Sequence, residues 1–80
     1  MGKEFVPPDF RKGCIEIRME GDDVGIYATK EGLDIIISSC AKLKDRPAIG
    51  HIHLQDYGVL TPGSMNATLA LFGNMAARKD

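Results

Sequence analysis

His51 and His53 have the spacing in this chain best suited to chemistry. On a β-strand, residues i and i+2 project from one face about 6–7 Å apart, at a rise of ~3.3 Å per residue. Two imidazoles so placed can share a metal ion, and Zn²⁺ usually takes three or four protein ligands. Glu16, on a strand whose outer face the histidines would share, or Asp56 just past them, is the expected third ligand. No other His or Cys cluster supports the pair. The same two residues also read as a partner contact or as a solvated sheet face.

Catalysis requires a nucleophile, a base and a group that stabilises developing charge, held together in a cleft. Ser38 and Ser39 fall within a helical pattern and Ser64 in a loop, and none has the flanking glycines of a nucleophile elbow. Cys40 belongs to an apolar helical stripe, where a buried thiol is usually inert. Cys14 can share a face with the histidines, but nothing in the pattern orients the imidazole of such a Cys–His pair. The nine glycines are scattered among turns and strand edges, with no phosphate-cradling or dinucleotide spacing. The residues point to a chain without catalysis of its own.

Tyr57 lies in a turn-rich segment, Gln55 to Met65, beside Val59 and Leu60. An aromatic so placed can form a partner-contact spot. The plainer alternative is that Val59 and Leu60 fold back over the end of the sheet while Tyr57 caps it.

The run Gly50-His51-Ile52-His53-Leu54-Gln55-Asp56 follows a hairpin and one amphipathic helix and precedes a strand. In this it resembles small bacterial immunity proteins of polymorphic toxin systems, in the group with an H-x-H-L-x-D-like strand. The likeness covers the last two thirds of the chain, and its motif is short. It implies a cytosolic protein that binds and neutralises a toxin.

The elements that must position these residues can be read from periodicity. Cys14 to Glu20 alternates, with Ile15, Ile17 and Met19 on one face and Glu16, Arg18 and Glu20 on the other, as in a half-buried strand. Gly21-Asp22-Asp23 supplies a turn, and Val24, Ile26 and Ala28 resume the alternation, which predicts a β-hairpin. Thr29 is a plausible N-cap. Leu33, Ile36, Ile37, Cys40 and Leu43 then recur at helical spacing, and Pro47 ends the helix. Gly32 in the first turn costs up to about 1 kcal/mol relative to alanine. Residues 50–54 and 67–72 alternate again and give two further strands.

The order β-β-α-β-β predicts an α+β fold, a two-layer sandwich with one helix on one face of a mainly antiparallel four-stranded sheet. The expected strand order is 2-1-3-4. Residues 1–12 form an irregular arm that Phe5, Val6 and Phe10 can tack to the body, 13–73 a single domain, and 74–80 a flexible tail. The expected core is Ile15, Ile17, Met19, Val24, Ile26, Leu33, Ile36, Ile37, Cys40, Leu43, Ile52, Leu54, Leu69 and Leu71. The uncovered sheet face would carry Glu16, Arg18, Tyr27, His51, His53, Thr68 and Phe72.

Composition agrees with a small globular chain. Of 80 residues, 44% are hydrophobic and 26% charged, against roughly 45–50% and about 25% in ordinary domains. A net charge of −1 lacks the clustered positive footprint of nucleic-acid binders. No apolar run approaches the roughly 20 residues of a membrane span. The opening residues hold no hydrophobic signal core, so the expected compartment is the cytoplasm. The two cysteines are expected to face apart as free thiols. A chain this short buries little surface, which makes a homodimer an open alternative.

Three functional classes follow. The first is a non-catalytic protein-interaction module, possible toxin binding included, that uses His51, His53, Tyr57, Asp56, Glu16 and Tyr27 with no cofactor. The second is a zinc-binding protein built on His51 and His53. The third is a subunit whose active site is complete only in an oligomer.

Overall fold

In the computed structural model, described over residues 5–73, the hairpin forms where the alternation places it. Strand β1, Ile15–Glu20, pairs antiparallel with β2, Asp23–Ala28, in a register that sets Ile15 opposite Ala28, Ile17 opposite Ile26 and Met19 opposite Val24. Gly21 makes the turn at φ 66°, in the left-handed region that a side chain disfavours. Residues 5–13 contain no helix or strand. The first four residues of the predicted arm, and all of the predicted tail, lie outside the described residues.

Helix α1, Lys30–Asp45, begins where Thr29 predicts. The Thr29 hydroxyl accepts the Gly32 N–H at 3.1 Å, satisfying one of the four amides that a helix start leaves unpaired. Its backbone N–H donates to the Cys14 carbonyl at 3.1 Å, which fixes the helix start to the open end of the hairpin. Gly32 is the reason the two come so close. A Cβ there would collide with the Cys14 carbonyl oxygen and crowd Ile15 and Ala28. The propensity cost of this glycine is thus offset by a close approach that no other residue permits.

The chain after α1 departs from a single sheet. A 3₁₀ turn, Pro47–Ile49, leads into β3, His51–His53, which pairs antiparallel with β4, Thr68–Ala70. These two strands form a sheet separate from β1–β2, so the fold is α+β with one helix and two two-stranded antiparallel sheets. The predicted 2-1-3-4 order fails because the far edge of β1 is already occupied. Segment 59–65 runs beside it. The Cys14 and Ile15 N–H groups donate to the Val59 carbonyl, Thr61 N–H donates to Ile15, and Met65 N–H donates to Ile17 at 2.7 Å. A parallel bridge joins Ile15 to Leu60. With the far edge of β1 taken at Ile15 and Ile17, β3 cannot pair there.

The core is smaller than the alternation predicts and is turned on the helix. Ile15, Ile17 and Leu54 form its centre, with Cys14, Ala28, Ile35, Ile36, Val59, Leu60, Ala67 and Leu69 packed around them. Leu43 and Ile52 are also buried. On α1 the inward stripe is Gly32, Ile35, Ile36, Ser39 and Leu43. Leu33, Ile37 and Cys40, expected in the core, lie outside it. The helix crosses the open end of the hairpin and continues against β3 and β4. It therefore leaves the hairpin tip uncovered, and Met19, Val24 and Ile26 are exposed on the face that buries Ile15.

Candidate functional site

The register of β3 against β4 decides the surroundings of the two histidines. His51 lies opposite Ala70 and His53 opposite Thr68, with Ile52 between them turned into the core. The rings meet edge to face, with centroids 4.8 Å apart. His51 is exposed and His53 half-buried. The Nδ1 atom of His53 lies 2.9 Å from the Thr68 hydroxyl across the strand pair. In the tautomer that donates this hydrogen bond, the free lone pair sits on Nε2.

A threonine hydroxyl against an imidazole also resembles half of a nucleophile–base pair. No carboxylate orients this imidazole among the hydrogen bonds of the described residues, and both groups stand on an exposed strand pair. The contact is a cross-strand pair that fixes ring orientation. Cys14, considered as a partner for the histidines, instead packs against Ile15, Ile17 and Leu54. Both cysteines are free thiols.

Glu16, the expected third metal ligand, is engaged elsewhere. It is buried, accepts the Thr61 hydroxyl at 2.5 Å and pairs with the Arg18 guanidinium at 2.8 Å. The outward face of β1 was expected to be bare, but the 59–65 segment covers it, and Gly63 lies over the Glu16 carboxylate. Asp56 is exposed on the 3₁₀ turn Leu54–Tyr57. Among the described residues no three His, Cys, Asp or Glu side chains gather where they could hold a metal ion. The pair stands without its predicted third ligand.

Tyr27 belongs to a different cluster. Its phenol donates to Glu20 at 2.6 Å, and its ring and that of Phe5 lie 5.0 and 5.2 Å from the Arg18 guanidinium carbon. Phe5 thus touches the body through its ring, although it, Val6 and Phe10 are all exposed. The Glu20 hydrogen bond pushes the Tyr27 phenol above its ordinary value of 10.0.

The loop follows the plainer of its two readings at Val59 and Leu60 but not at Tyr57. Val59 and Leu60 pack on the core, and Ser64 accepts the Ile17 N–H at 2.9 Å as a side-chain substitute for a strand partner. Tyr57 stays exposed, with the Lys42 amine 5.9 Å from its ring centre.

What sequence reasoning missed is the exposure of two sets of expected core residues. Met19, Val24 and Ile26 share one face of the hairpin tip, and Leu33 and Ile37 lie one helical turn apart on α1. The signal was present as an excess of periodic apolar positions over what one short helix can cover. No helix of the described residues is long and apolar enough to cross a membrane. No family model, curated protein or solved structure matches the chain.

Proposed function

We propose that this chain is a non-catalytic protein-interaction module that binds its partner through the hairpin tip and the outer stripe of α1. The observation that carries this reading is the exposure of large apolar side chains in a periodic arrangement: Ile26 is 61% and Ile37 64% exposed. Single exposed apolar residues are ordinary, but a grouped set on regular elements marks association surfaces. The outer edge of β2 adds to this, since β2 has no second backbone partner among the described residues. An unpaired edge can accept a strand from another chain.

The resemblance of segment 50–56 to toxin-neutralising immunity proteins suggests the partner's class, a toxin domain met in the bacterial cytoplasm. The experiment is direct binding, by calorimetry in EDTA, to a purified toxin domain encoded at the same locus. Ile26→Asp and Ile37→Asp should each weaken binding at least tenfold while leaving the far-ultraviolet circular dichroism unchanged. Equal affinity of both variants and the unsubstituted chain would reject this surface.

A further inference from the structure

We infer that His51 and His53 form half of a zinc site that a second copy of this chain completes. The separation of the two rings matches what a shared zinc ion requires. Zinc binds imidazole nitrogen at about 2.0–2.1 Å, and the ring centre lies roughly 1 Å further out, so tetrahedral coordination places two ring centres about 5 Å apart. The observed separation is 4.8 Å. The Thr68 hydroxyl holds His53 by Nδ1, and a hydrogen bond on the second nitrogen is the usual way a protein orients a metal-binding imidazole.

Two nitrogens leave a tetrahedral ion half coordinated. The third ligand does not come from this chain's described residues, since Glu16 is held by Arg18 and Thr61 and no cluster of three forms. The residues opposite the pair are small, Ala70 and Thr68. Strand β3 thus presents both rings without a large side chain directly across from either. A twofold-related copy would bring the same two imidazoles to the ion and close the set at four nitrogens. The site is incomplete without it, and the interface would be isologous.

The test is light scattering of the purified chain in EDTA and then with ZnCl₂ added in steps. The expected result is a single-chain mass in EDTA that doubles with zinc and saturates at one ion per two chains. His51→Ala/His53→Ala should remain at the single-chain mass throughout. Thr68→Val should weaken zinc affinity about tenfold with the stoichiometry unchanged, and Thr68→Ser should restore it. Saturation at one zinc per chain without a mass change would overturn the inference, as would a doubled mass in EDTA that the double variant retains. None of these outcomes bears on the apolar surface, whose own test is run in EDTA on Ile26 and Ile37.

Discussion

At the open end of the hairpin, Ile15 and Ala28 face one another beneath the first turn of α1, and Ile15 is fully buried. At the closed end, Met19 and Val24 face one another in the same register, on the same side of the same two strands, and both are exposed. The residue types hardly differ. What differs is the cover. Alternation specifies which side chains share a face, but a neighbouring element decides how much of that face is buried. Here the neighbour is held at one end by the Thr29 cap and the Gly32 contact.

The sharpest way to break this comparison is to truncate one residue at each end. Ile15→Ala removes a buried side chain from the centre of the core and should cost about 2–5 kcal/mol in urea unfolding, which for a chain this short threatens folding itself. Val24→Ala, on the same face at the closed end, should change stability by no more than about 0.5 kcal/mol. Comparable losses at the two positions would mean that the tip is covered in solution.

Gly32→Ala tests what holds the helix to the covered end. Helix propensity alone predicts a gain of up to about 1 kcal/mol. The collision with the Cys14 carbonyl predicts a loss of roughly 1–3 kcal/mol, as for other overpacked sites. The sign of the change in urea midpoint decides between them. Thr29→Ala should cost about 1 kcal/mol, the usual effect of losing an N-cap hydroxyl.

These cases also mark what could be read from the sequence. The hairpin, the helix and its cap were legible because each is specified by neighbours within a few residues. The rotation of α1 was not. Leu33, Ile36, Ile37, Cys40 and Leu43 make a stripe as regular as Gly32, Ile35, Ile36, Ser39 and Leu43, and the choice between them depends on a glycine contact with Cys14, far away along the chain. The single sheet failed for a related reason. Ser64 and Met65 bond to Ile17 from a segment whose glycines and proline read as loop, and such irregular pairing has no periodic signature. Of the candidate site, the two histidines came out side by side as their spacing requires, since i and i+2 is a local relation. Glu16 did not join them, because its partners, Arg18 and Thr61, are set by the unpredicted path of 59–65.

The far face of the hairpin gives the smallest predicted effect and the most local one. The Tyr27 phenol is raised above 10.0 first by its hydrogen bond to Glu20, then by desolvation and by the Glu20 charge, with Arg18 acting in the opposite direction. A phenol whose folded value exceeds its unfolded one favours the folded chain in its neutral form. That contribution is fully present below pH 10, and it is lost as pH rises through the raised folded value. In a Tyr57→Phe background, Tyr27 is the only phenol in the chain, and its ionisation can be followed by ultraviolet absorbance. Glu20→Ala should move the titration midpoint down toward the ordinary value, because it removes the hydrogen bond and the charge together. A midpoint unmoved by this substitution would mean that the Glu20 contact is not held in solution, and that the Phe5–Arg18–Tyr27 cluster is organised by the guanidinium alone.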